Sequence, residues 1–200
     1  MLNTAMGMFY LFGYGFVNKV NSGRTTFFDL ALPGETSLPF IPAFIYVYCV
    51  PFVMIGVAMF ACPLADRRLF HRVVGTLTLN VVISFFCFLT MPTQMFYRAE
   101  LPAEPTSLSL AMVQWFYGTD RPNNCFPSMH VSLMVIAAWA LSAIWPRHRW
   151  LYWTLTVGVM ASVVLVKQHY IADAVAGFAL GTALHWMFIR PATRERAAST

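Results

Sequence analysis

Apolar runs of roughly 18 positions, free of Asp, Glu, Lys and Arg apart from Asp173 at the head of the last, recur along the chain over about 38–62, 73–91, 128–145, 150–166 and 171–189. Each is about as long as a helix needs to be to cross the hydrocarbon core of a bilayer. A further stretch, MLNTAMGMFYLFGYGFVN, also lacks charge but is short and holds three glycines. It reads as a first span, with an interfacial helix or an uncleaved signal anchor as the alternatives. The pattern therefore predicts an all-α protein, a polytopic membrane helix bundle of six transmembrane helices. One membrane-embedded domain would occupy 1–190, and the polar residues 191–200 would form a cytoplasmic tail.

Composition supports a bilayer as solvent. Of the 200 residues, 58% are hydrophobic and only 10% charged, more apolar surface than a soluble chain of this length can bury. The 18 phenylalanines, 12 methionines and six tryptophans are not interleaved with basic residues, so nucleic acid is not expected as a partner. Cys49, Cys62 and Cys87 fall in or at the ends of spans and Cys125 in a loop, which argues against a disulfide framework.

The placement of the net charge of +5 sets the orientation. With a cytoplasmic amino terminus, the inner segments ADRRLFHR, PRHRW and RPATRER hold eight of the 13 basic residues. Lys19, Arg24, Arg98, Arg121 and Lys167 then lie outside with most of the acids. This assignment puts residues 92–127 and 167–170 on one outer face, facing outside or the periplasm of a bacterial-type inner or plasma membrane.

That face gathers reactive side chains. The loop ending DRPNNCFPSMHVS leads into a span starting near Ser128, with Pro127 suited to a first helical turn. The free amides and positive dipole end of that helix favour an anion, and Ser128 and His130 sit in its first turn. The last span opens with His169 and Asp173, four residues apart on one face. An aspartate there can fix the histidine tautomer and leave the other ring nitrogen as a nucleophilic lone pair. The stripe continues through Gly177 and Gly181, a G-x-x-x-G step for close helix packing. Two histidines with Lys167, Arg98 and Arg121, and no carboxylate-rich or soft ligand set, match a phosphoryl group held by cations better than a metal; no metal site and no cofactor are expected.

FPSMH followed by KQHYIAD resembles the membrane-embedded type 2 phosphatidic acid phosphatases, the superfamily that includes vanadium haloperoxidases. KQHY is similar to the branch related to inositol phosphorylceramide synthases. Over roughly residues 90–182 the resemblance implies His169 as nucleophile, Asp173 as its orienting partner, His130 as general acid and Ser128 as a phosphate-pocket donor. Where the family carries Ser-Arg this chain has Ser162 and Val163, which makes Lys167 the substitute cation. Its first motif is reduced to Arg98 in TQMFYRAELP, with Arg121 as an alternative or additional clamp. The implied activity is metal-independent cleavage of a lipid phosphate or phospholipid phosphoester through a phosphohistidine, resolved by water or by a polar alcohol acceptor. A head-group transferase and an inactive lipid-binding membrane protein are the alternatives. A transporter would carry ionisable residues near mid-membrane, and the five clear spans have none at their centres. Read singly, Asp173 is also a helix cap, Lys167 a snorkelling side chain and the arginines ordinary loop residues.

Overall fold

The computed structural model describes residues 2–190, so the expected tail 191–200 lies outside the described residues. Among the described residues the chain is all-helical, a helical bundle without strands. Helix α1 spans Leu2–Ser22. After a loop, a 3-10 turn Pro42–Phe44 runs into α2 (Ile45–Tyr48) and α3 (Val50–Ala65). Helices α4 (Arg67–Thr90), α5 (Leu108–Thr119), α6 (Met129–Ile144), α7 (Arg149–Leu165) and α8 (Ile171–Leu184) follow. A π-helical turn, His185–Ile189, prolongs α8.

Every predicted span has a helical counterpart, with two differences. Helix α4 begins six residues earlier than the 73 of the apolar run, because Asp66 accepts from the Arg68 and Leu69 amides and starts the helix through its basic stretch. Helix α5 was not foreseen; Ser107 caps it by accepting from the Leu110 amide. Three stretches, Pro42–Ala65, Arg67–Thr90 and Ile171–Ile189, are long and apolar enough to cross a membrane. Helices α6 and α7 have 16 and 17 residues, and α1 has the length but is diluted by Tyr10, Tyr14, Asn18 and Lys19.

Helix α6 is the axis of the bundle. Val131, Met134, Val135, Ile136, Ala138 and Leu141 are fully buried between α3, α4, α7 and α8. The G-x-x-x-G step on α8 meets α6 directly: a Cβ on Gly181 would lie 2.8 Å from both the Ser132 carbonyl oxygen and Val135 Cβ. One on Gly177 would collide with the Ser128 carbonyl. Glycine is required at both positions because backbone meets backbone there. Large apolar side chains such as Phe60, 79% exposed, and Leu64, 88% exposed, point outward, as a lipid solvent allows. All four cysteines are free thiols.

Candidate active site

Four connecting segments meet at the end of the bundle where α6 and α8 begin. The Ile41 amide donates to Leu165 O (3.0 Å), Phe28 N to Pro92 O (2.9 Å) and Met95 N to Pro122 O (2.7 Å). The loop 92–127 and the turn 167–170, expected on one face, are in contact through the Phe96 amide, which donates to the Tyr170 hydroxyl at 3.1 Å. The amide of Ser128, the N-cap of α6, donates to Asp173 O at 3.0 Å and locks the two helix starts together. Lys167 and Asn124 have left-handed backbone (φ 55° and 64°), a conformation that costs a non-glycine residue energy and is retained here on both sides of the site.

His169 is buried at this junction. Its Nδ1 lies 3.0 Å from the Cys125 carbonyl and 3.5 Å from Asp173 Oδ2. A backbone carbonyl can only accept, so Nδ1 carries the proton and Nε2 is left as a lone pair. The expected aspartate partner is present, but the nearer acceptor is a carbonyl in the loop before α6. Asp173 Oδ2 also accepts from the Tyr170 amide at 2.8 Å, so the same carboxylate caps α8. Glu35, buried in the α1–α2 loop, completes the cap by accepting from the Ile171 and Leu32 amides.

His130 faces His169 with ring centroids 5.9 Å apart. It packs 4.2 Å from the Tyr48 ring, whose hydroxyl is 3.4 Å from His130 Nδ1, and edge-on to Phe52. Both histidines line a cavity of about 280 Å³, together with Tyr14, Asp120, Arg121 and Gln168. An apolar groove of about 200 Å³, walled by Tyr10, Phe52, Ile55, Val81 and Leu133, adjoins the cavity at Tyr10 and Phe52 and runs between α1, α3 and α4.

The candidate cations divide. Arg121 is exposed and lines the cavity. Arg98 does not: its guanidinium donates to Tyr117 O (3.2 Å), to Asp120 O (2.8 Å) and to the Gln168 side chain, and lies 4.4 Å over the Tyr117 ring. These contacts make the half-buried Arg98 a strut between the end of α5 and the 167–170 turn; desolvation of the Tyr117 hydroxyl pushes it up to about 12, against the opposing pull of the Arg98 charge. Lys167 is buried outside the cavity lining, with its pKa lowered by desolvation and drawn back up by the charge of Glu35. The Ser128 hydroxyl is buried and has no hydrogen-bond partner among the described residues, and Ser128 does not cap α6 with its side chain.

Asp120, Gln168, Tyr14 and Glu35 were not singled out from sequence. Asp120 accepts from the Tyr14 hydroxyl, which ties α1 to the site. Burial raises its pKa, while Tyr14, His169 and Arg98 pull it down. Asp120 and Gln168 adjoin Arg121 and Lys167 in the motifs, a usable signal; Tyr14 and Glu35 are remote in sequence and carry none. Cys125 Sγ, a ring nitrogen of His169 and an Asp173 oxygen lie within 4.8 Å of one another. Burial pushes the Cys125 thiol well up, keeping it neutral, and Nδ1 and Asp173 Oδ2 already hold backbone partners. That donor set is a hydrogen-bonded floor under the ring and a poor fit to a metal ion.

Residues 99–196 match the family model of the PAP2 superfamily. The chain carries a PAP2 superfamily domain. Arg121, Ser128, His130, Lys167, His169 and Asp173 all lie within the match, and Arg98 stands one residue ahead of it. PAP2 membership supports a phosphatase- or phosphotransferase-type enzyme, and with the apolar helices a membrane setting. No curated protein matches the chain.

Proposed function

We propose that this PAP2 protein cleaves the phosphoester of a lipid phosphate through a phosphohistidine on His169, without a metal. The observation that carries the reading is the pair of rings facing across one cavity, with His169 Nδ1 committed to the Cys125 carbonyl. Nε2 attacks phosphorus as the bond to the leaving oxygen breaks, and His130 gives that oxygen a proton. In the second half, His130 takes a proton from water or an alcohol, whose oxygen displaces the histidine from phosphorus. The phosphoryl oxygens are held by Arg121, by the first amides of α6, which no side chain caps, and by Gln168, whose side-chain nitrogen is buried without a partner among the described residues. Arg98 acts by fixing Gln168 and the Asp120 backbone, while Lys167 and the Ser128 hydroxyl add a charge and a donor just behind the cavity wall.

The adjoining apolar groove favours a lipid over a soluble phosphate ester, since its walls suit an acyl chain reaching in from the bilayer. The distribution of lysine and arginine favours the extracytoplasmic face for the site. The KQHY resemblance keeps transfer of a head group to an alcohol beside hydrolysis, as two fates of one intermediate.

The test is purified protein in detergent given lipid phosphates and phospholipids, with and without polyol acceptors, plus EDTA. Free phosphate or a new lipid, an acid-labile phosphoryl label on the protein that His169→Ala abolishes, and inhibition by vanadate are expected. A label that persists in His169→Ala, or a strict requirement for a divalent cation, overturns the mechanism.

A further inference from the structure

A second polar cavity lies at the opposite end of the bundle, where α6 and the α8 π-turn finish and α7 begins. Its volume is about 440 Å³, and Trp139, Ser142, Arg149, His185, Trp186 and Arg190 line it. Helix α6 separates it from His130 by more than two turns. His185 is only 4% exposed and stacks flat on Trp139, ring centroids 4.0 Å apart and planes 6° from parallel. Arg190 lies over the Trp186 ring, 3.6 Å from its centroid.

Three polar atoms in this lining, Trp139 Nε1, Ser142 Oγ and His185 Nδ1, are buried and have no hydrogen-bond partner among the described residues. Groups of this kind cost free energy unless something satisfies them. Two are donors, Trp139 Nε1–H and the Ser142 hydroxyl, and two guanidinium groups stand beside them. The surroundings are basic as well: Arg72 reaches the Phe188 carbonyl (3.3 Å), which sets the start of α4 beside the end of α8, and Arg67, Arg68, Arg147 and His148 belong to the same end. Among the described residues the carboxylate of this end is Asp66, already bonded to two amides.

We propose that this cavity binds the phosphate head group of an anionic phospholipid from the leaflet opposite the catalytic cavity. The guanidinium groups of Arg149 and Arg190 take the phosphate oxygens, Trp139 and Ser142 donate to the same group, and the exposed faces of Trp186, Trp145 and Trp150 rest at the lipid interface. The site depends on no step of the catalytic chemistry. The shared recognition element is a phosphate ester, so a free phosphate ion is the competing source.

Native mass spectrometry of the protein in detergent tests this, titrating phosphatidylglycerol, phosphatidylcholine or inorganic phosphate, with vanadate present to occupy the catalytic cavity. Phosphatidylglycerol should bind in preference to phosphatidylcholine. The Arg149→Gln/Arg190→Gln variant should lose about tenfold or more of that affinity. Trp139→Phe, which keeps the stack and deletes the N–H, should weaken binding with the melting temperature intact, so a folding defect cannot imitate the result. Arg121→Gln should leave it unchanged. Equal binding of the two lipids, inorganic phosphate displacing the lipid at millimolar concentration, or loss of binding in Arg121→Gln alone would each overturn the proposal.

Discussion

Replacing Asp173 by asparagine removes a negative charge from beneath His169 while keeping the shape of the side chain. In the wild type Oδ2 lies 3.5 Å from His169 Nδ1 and 2.8 Å from the Tyr170 amide, whereas the Cys125 carbonyl is nearer the ring at 3.0 Å. Two effects of different size follow. An asparagine oxygen still accepts from the Tyr170 amide, so the fold loses only the charge-assisted part of the cap, roughly 0.5–1 kcal/mol. The ring, however, becomes positive as Nε2 bonds to phosphorus. A unit charge pair about 4 Å apart is worth about 4 kcal/mol at an effective dielectric of roughly 20. Because Asp173 is shared with the Tyr170 amide and the Cys125 carbonyl remains, about 2–3 kcal/mol of this is expected in the transition state. That corresponds to a loss of roughly 30- to 150-fold in kcat. Initial rates of phosphate release from a lipid phosphate in micelles, with a thermal melt on the same preparation, measure both effects. If Asp173→Asn stays within about twofold of wild type in rate, Asp173 is a helix cap alone and the Cys125 carbonyl orients the ring unaided.

Three further predictions address the other half of the site and its supports. His130→Ala should slow cleavage of a lipid phosphate far more than that of a nitrophenyl ester, since a weakly basic leaving oxygen needs little proton donation; equal losses on both would remove the general-acid role. Gly181→Ala should cost about 1–3 kcal/mol and lower the melting temperature in detergent, because the new methyl group meets the Ser132 carbonyl and Val135 at 2.8 Å; an unchanged melt would mean that α6 and α8 are less tightly joined than these contacts require. Burial holds the Asp120 carboxyl above its usual range, so the folded protein binds more protons there than the unfolded chain does. Stability from this group is therefore greatest below about pH 4 and falls as the pH rises through the raised folded value. Asp120→Asn keeps an acceptor for Tyr14 and should flatten that fall, gaining on wild type towards neutral pH; superimposable profiles of melting temperature against pH would contradict it.

The apolar runs determined most of the fold because, in lipid, a backbone segment must satisfy its own hydrogen bonds, and only a helix does so within one stretch. Helices α3, α4, α6, α7 and α8 were therefore legible from local pattern. Helix α5 was not, since its 12 residues follow a Pro-rich loop and are too few for the span criterion. The two histidines, Asp173, Ser128 and Arg121 could be named as candidates because each is within a few residues of a helix start or a motif. Tertiary structure alone decided what those residues touch. Nothing in the sequence couples Cys125 O to His169, Tyr14 to Asp120, or Glu35 to the amide of Ile171, because these partners are 44, 106 and 136 residues apart and are joined only when four loops converge at one end of the bundle. The same convergence sets Arg98, a candidate phosphate clamp, against two carbonyls and Gln168. Charge and spacing name the groups able to hold a phosphate, but which of them reach the cavity depends on how the helices pack around α6.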